Sequence, residues 1–295
     1  MSEAYNRRSA DKGALAAAQS IAIVSPISTA NFQQGFVAGL NNPQIALTWD
    51  DHDPNGKVYG YGTKKNYKAL SNAIASHDGL VGLIVTTGGN IAFRAAVDAR
   101  LKTTPFISLV GEVPARRPDN FYGGVALQSW LANDARISFL LGLGKGYVAS
   151  DIGLFCNRRS AMHGDETTLW HGSEYYLTGG GGNNNASAFT NEFNNVDDSI
   201  KALIISADPF FQDNKVALIN AANAWVGAKP GRSVCYPLAN YKNVPGTTPV
   251  PAGTSYWFGP DLAGAYQTLG AVAGLALSAN GPVPFSFTQD NSGPL

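Results

Sequence analysis

Two clusters of acids and histidines are the first places where residue type and spacing permit chemistry: Asp50, Asp51, His52 and Asp53, then His163, Asp165, Glu166 and His171. Carboxylate oxygen and imidazole nitrogen together can hold a divalent cation. Neither cluster has a metalloenzyme spacing such as HExxH, and the first lies in a polar loop after a strand, where solvated acids are ordinary, so no metal is assigned. Gly142, Gly144 and Gly146 in LGLGKGYVASDIG superficially space like a dinucleotide loop, but they precede a strand instead of following one and read as a helix stop and turn. Gly179–Gly182 does lie between a strand and a helix, yet no Gly-Lys-Ser/Thr follows to supply a phosphate-binding lysine and a magnesium ligand, so it reads as a flexible loop. With no serine in a GxSxG elbow and no local Cys-His pair, nucleophilic catalysis has no named residue. The reading is of a protein that is not an enzyme and needs no cofactor.

Composition narrows the classes further. The chain has 295 residues, 44% hydrophobic and 14% charged, with 21 basic and 21 acidic side chains. That length suits two packed sub-domains better than one core. Balanced charge without like-charge runs excludes a nucleic-acid partner or an anionic membrane surface. Cys156 and Cys235 match no CxxC or metal spacing and stand either as buried thiols or as one disulfide. The most apolar run, Leu262–Ala279, is interrupted by Ala and Gly and falls short of the roughly 20 apolar residues that span a bilayer.

Positioning falls to alternating strands and helices. Short β-branched runs predict strands at Ile21–Ser25, Ile45–Trp49, Leu80–Thr86, Phe106–Val110, Asp151–Cys156, Glu174–Leu177, Ala202–Ser206, Ser233–Leu238 and Ser255–Phe258. Helical periodicity predicts Ala30–Leu40, Lys64–Ser76, Asn90–Leu101, Leu127–Leu143, Ala186–Asn194, Gln212–Val226 and Asp261–Ala279. The stripes Phe32, Phe36, Val37, Leu40 and Val216, Ile219, Ala222, Val226 read as core faces, as do Leu262, Tyr266, Leu269, Val272, Ala273 and Leu277. This βα rhythm is α/β: mostly parallel sheet flanked by helices. The Pro- and Gly-rich segments Glu112–Asn120 and Asn240–Thr254 punctuate the chain and predict crossings between lobes.

Four blocks carry a resemblance: IAIVSPISTANFQQGFVAGL; LIVTTGGNIAFRAA followed by TTPFISLVGEV; ALIISADPFFQDNKVALINAA; and SYWFGPDLAGAYQTLGAVAGLAL. Together, in order and over most of residues 20 to 280, they resemble the uncharacterised-type ABC transporter substrate-binding proteins of type I periplasmic-binding-protein architecture. Residues 162–185 stand in this order as an insert. The resemblance implies two Rossmann-like lobes, residues 20–112 plus 239–280 and residues 113–238 plus 281–295, closing by a hinge on a ligand held in the interlobe cleft at the carboxyl ends of the strands.

Reading the residues at those strand ends gives a candidate ligand site. Ser25, Ser28 and Thr29 follow the first strand, Thr86, Thr87 and Asn90 the third, and Glu112 the fourth. Asn157 and Arg158 follow the Cys156 strand, Asp208 and Phe210 follow the Ser206 strand, and Tyr241 lies further on. Helix starts at Ser28–Thr29 and Thr87–Asn90 offer N–H groups and hydroxyls suited to a carboxylate. Asp208 or Glu112 can take an ammonium, and Phe210 or Tyr241 can stack on a flat side chain, so the expected ligand is an aromatic or aliphatic amino acid. The alternative is that these hydroxyls merely cap helices.

Residues 1–19 lack the pattern of an export signal, which places the chain in the cytoplasm as written, or in the periplasm where a signal has been removed. Expected partners are a small-molecule ligand and an ABC transporter permease. The rival reading is a binding-protein fold recruited as a self-assembling structural protein. Its N-terminal arm, with Tyr5 and Ala14–Ala18 to pack and Arg7, Arg8 and Lys12 to pair, would form a homo-oligomer.

Overall fold

The computed structural model describes residues 19–25, 30–51, 64–111, 113–127, 132–157, 170, 172–177, 185–249, 252–287 and 290–294. The chain divides into two units, residues 1–127 with 262–288 and residues 128–261 with 289–295.

In the first unit, parallel strands β1 (Ser20–Ser25), β2 (Ala46–Asp51), β3 (Leu83–Thr86), β4 (Phe106–Val110), β5 (Phe121–Ala126) and β11 (Ser286–Phe287) lie in the order β11-β5-β4-β3-β1-β2. Strand side chains alternate between faces. Ile21, Ile23, Leu83, Val85, Ile107 and Leu109 therefore pack on one side, against α1 (Ala30–Leu40) and α8 (Leu262–Ala279). Ala22, Val24, Ile84, Phe106 and Val110 pack on the other, against α2 (Lys64–Ser76) and α3 (Gly89–Asp98). Burial on both faces is why these strands read as nearly continuous apolar runs.

Helices α1 and α8 approach until backbones touch: a Cβ on Gly39 would stand 1.7 Å from the Gln267 carbonyl oxygen, and one on Gly270 would stand 2.0 Å from that of Phe36. No side chain fits at either position without parting the helices. Length and composition alone would let α8 span a bilayer, yet its buried residues are packed into the core of this unit. Val37, expected in the apolar stripe of α1, is exposed; Phe32, Phe36 and Leu40 carry the contact.

The second unit's sheet runs β12-β10-β9-β8-β6-β7, with β6 (Ile152–Cys156), β7 (Ser173–Tyr176), β8 (Ala202–Ile205), β9 (Ser233–Tyr236) and β10 (Ser255–Pro260) parallel and β12 (Asp290–Pro294) antiparallel at the edge. The helices are α4 (Ala132–Gly142), α5 (Asn185–Asn194), α6 (Pro209–Asp213) and α7 (Lys215–Gly227). Phe155 stacks on Phe193 at 4.5 Å between ring centroids, with Phe189, Phe211 and Trp225 around them. Val216, expected on the core stripe of α7, faces outward. Cys156 and Cys235 are buried free thiols on β6 and β9, strands separated by β8; burial pushes the Cys235 thiol up to about 12.

The chain changes sheet at places other than the punctuated segments. Residues 113–120 join β4 to β5 within one sheet, so the first change follows Leu127, not residue 112. Residues 239–254 stay with the second unit because Asn220 accepts from the Thr248 N–H (2.6 Å) and Asn223 donates to the Thr248 carbonyl (2.9 Å), pinning the segment to α7. β10 accordingly pairs with β9, and the second change follows Asp261. Residues 281–287 remain with the first unit through β11, so the return to the second follows residue 288 and comes later than residue 281.

Candidate functional site

At the carboxyl edge of the first sheet, hydroxyls bond sideways between neighbouring strands. Ser25, last residue of β1, shares a 2.6 Å hydrogen bond with Thr87, which follows β3. Thr86 donates to the Ser108 hydroxyl on β4 at 2.9 Å and is completely buried, so it lies beneath the edge and not on it. Gly88 and Gly89, at φ 109° and 71°, occupy the left-handed region and turn β3 directly into α3. One residue on, the Asn90 side-chain carbonyl accepts from the Gly111 N–H at 3.0 Å, tying the helix start to the end of β4. The N–H groups of the first turn of α3 thus stand at the strand ends, where an anion is favoured.

The corresponding edge of the second sheet carries a carboxylate. Asp208, 1% exposed, caps α6 by accepting from the Phe210 N–H at 2.7 Å, and Asn157, which follows β6, donates to the same oxygen at 3.4 Å. Proline at the first position of α6 and aspartate before it are the residues a helix start prefers, which is why so short a helix forms. Phe210 is half-buried beside Phe189 and Phe211. Tyr241, expected to stack on a ligand, instead stacks on Tyr236 at 4.8 Å and 23°.

Three residues that strand-end reading missed belong to this edge. Ser206 directly follows β8, Tyr236 ends β9, and Gln212 lies on α6. The Ser206 and Tyr236 hydroxyls and the Gln212 amide nitrogen are buried, and none has a hydrogen-bond partner among the described residues. Burial also holds the Tyr236 phenol well above the usual tyrosine range, so it remains a neutral donor. Ser206 and Tyr236 were legible only as strand residues, because nothing in sequence tells a terminal inward hydroxyl from a core one.

Ser28, Thr29, Glu112 and Arg158 lie outside the described residues, as do residues 1–18 of the N-terminal arm, His52, Asp53, His163, Asp165, Glu166 and His171. Of the first acidic cluster, Asp50 is bonded to His77 at 2.8 Å.

No family model matches the chain. No curated protein matches it either. Solved structures do. The ABC domain in complex with L-Trp from Streptococcus pneumonia has a TM-score of 0.61 at 12% identity, covering 92% of this chain and 91% of that one. A carbohydrate transporter solute-binding protein from Agrobacterium radiobacter in complex with D-arabinose has a TM-score of 0.53 at 14% identity, covering 93% and 94%. A LacI family transcriptional regulator from Bifidobacterium animalis subsp. lactis has a TM-score of 0.54 at 13% identity, covering 94% and 96%. With its parallel-dominated sheets flanked by helices, this chain has the type I periplasmic-binding-protein fold.

Proposed function

We propose that this chain binds a small organic ligand through side chains at the carboxyl ends of its strands, without chemistry, as a transporter substrate-binding or sensor protein. The observation that carries the reading is the trio of buried donors, Ser206, Tyr236 and Gln212, with no partner among the described residues. A buried donor left unmade costs about 1–3 kcal/mol, so three at one strand edge are retained for something other than stability. Open α/β sheets bind ligands at this edge. Proteins of the same fold are named as complexes with L-Trp and with D-arabinose, and others as transcriptional regulators, which supports a captured or sensed solute.

For the ligand class, the reading is an amino acid with an aromatic or aliphatic side chain. Its ammonium suits Asp208, the buried carboxylate at the second sheet's edge. Isothermal titration calorimetry across amino acids, sugars, purines and small peptides tests both levels. Saturable binding of an amino acid that Asp208→Asn removes supports the zwitterion reading. Binding of a neutral sugar alone overturns that reading and keeps ligand capture; no binding from any class overturns both.

A further inference from the structure

A groove of about 380 Å³ lies in the first unit between α3 and the β4–β5 connection, and none of the described strand-end residues lines it. Its wall is apolar at Phe93, Val97 and Pro118. Among the described residues, Arg94, Arg116 and Arg117 line it beside one carboxylate, Asp98. Phe93 and Val97, four apart on α3, share a helix face, as do Arg94 and Asp98.

Arg117 is already fixed for work at this wall. Its Nε–H donates to the Pro114 carbonyl at 3.2 Å, and its guanidinium carbon lies 5.0 Å from the centre of the Phe285 ring. A guanidinium so held loses little rotamer freedom when it meets an anion, and its remaining N–H groups form the fork that carboxylate and phosphate oxygens fit. Val97, a large apolar side chain 38% exposed, supplies a wall that a purely hydrated ion would not use.

We propose that this groove is a second ligand site, for a small molecule that carries a phosphate or carboxylate on an apolar body. The anionic head sits among the arginines and the apolar body covers Val97 and Pro118. The volume is at the lower end of the range for small-molecule sites.

Calorimetry with phenylphosphate, inorganic phosphate and benzyl alcohol as probes tests it on the full chain. Phenylphosphate is expected to bind saturably and more tightly than either other probe. Arg116→Gln should weaken it about tenfold, the usual loss for one charge-assisted hydrogen bond. Val97→Glu, at an exposed helix position outside the core, should abolish binding by putting a carboxylate into the groove. Asp98→Asn should strengthen it about threefold by removing a repulsion, a gain that a merely structural role does not produce. The proposal is overturned by no saturable binding of phenylphosphate, by inorganic phosphate binding equally well, or by affinity that Arg116→Gln and Val97→Glu leave unchanged. Loss in Asp208→Asn with retention in Val97→Glu also overturns it, assigning the probe to the strand edge and leaving the proposed function standing.

Discussion

The two edges of each sheet use the same polar residue types to different ends. At the amino edge of the first sheet, Asp78 accepts the backbone N–H groups of Lys102, Thr103 and Thr104 at 2.7, 3.1 and 2.9 Å, and Thr104 accepts that of Gly79. At the amino edge of the second, Ser233 bonds Tyr147 at 2.7 Å and Lys145 at 3.0 Å, while Asp151 holds the Val148 N–H and Lys201. These side chains are committed to loop backbone and to one another. At the carboxyl edges, Ser25 bonds Thr87, Asn157 reaches Asp208, and Ser206, Gln212 and Tyr236 keep buried donors with no partner among the described residues. The amino edge of the second sheet also keeps two such atoms, Arg232 Nε and Ser255 Oγ, but the carboxyl edge sets its three beside the buried carboxylate of Asp208, and that grouping is the physical basis for placing function there.

The largest expected effect tests the carboxyl edge. Asp208→Asn keeps a helix-capping oxygen but removes the charge, so stability should change little while affinity for an amino-acid ligand falls on the order of 100-fold, about 3 kcal/mol. Calorimetry beside a thermal melt reads both. Unchanged affinity would put the ligand's cation elsewhere. The committed edge should give the opposite pattern: Asp78→Ala leaves three loop N–H groups without their acceptor and should lower stability by about 2 kcal/mol in denaturant titration, with ligand affinity unaltered. A matching loss of affinity would show that the edges are not separable.

Much of the scaffold was legible because buried parallel strands announce themselves as apolar runs: Phe106–Val110 and the helices Ala30–Leu40 and Lys64–Ser76 stand where periodicity puts them. β5 was not among the expected strands, since the glycine pair in FYGGVA interrupts its apolar run. Its glycines are required by packing, for a Cβ on Gly124 would lie 1.9 Å from the Ser108 carbonyl oxygen, and Gly123 is at φ 119°. Missing β5 displaced the first change of sheet. The second was displaced because Pro- and Gly-rich sequence reports an irregular path without saying what anchors it, and the anchors, Asn220 and Asn223, lie on a helix. At the site, strand ends led to Ser25, Thr87, Asn157 and Asp208, but which hydroxyls pair with each other depends on strand order, and sequence does not carry that order.

A smaller change sharpens the comparison from within the site. Tyr236→Phe deletes a buried hydroxyl that has no hydrogen-bond partner among the described residues. The ligand-free protein should be unchanged or up to about 1 kcal/mol more stable, because no bond is lost and a desolvated polar atom is removed. Ligand affinity should fall about tenfold if the hydroxyl is held for the ligand. A stability loss beyond 1 kcal/mol would mean that the hydroxyl is bonded in the folded protein, and would move Tyr236 to the committed class.

The mildest test uses acid. Hydrogen bonds from Lys102, Thr104 and Thr103 outweigh the opposing effect of burial and hold the Asp78 carboxyl well below the ordinary range. The Val148 N–H, and after it Lys201, do the same for Asp151 against burial. A carboxyl with a lowered pKa in the folded state binds a proton less readily there than in the unfolded chain, so its stabilisation is complete above the unfolded value near 3.9 and drains away as pH falls through that value toward the folded one. Stability should therefore be flat with respect to these two groups from neutral pH to about 5, and should decline below about 4 with a slope of up to one proton per carboxylate. Asp78→Asn should flatten that decline by its own share and Asp151→Asn by another. Urea titrations between pH 3 and pH 7 on the parent and the two variants measure the slopes. An undiminished slope in either variant would mean that its carboxylate is not committed to the fold as its hydrogen bonds require, and the reading of the amino edge would fail.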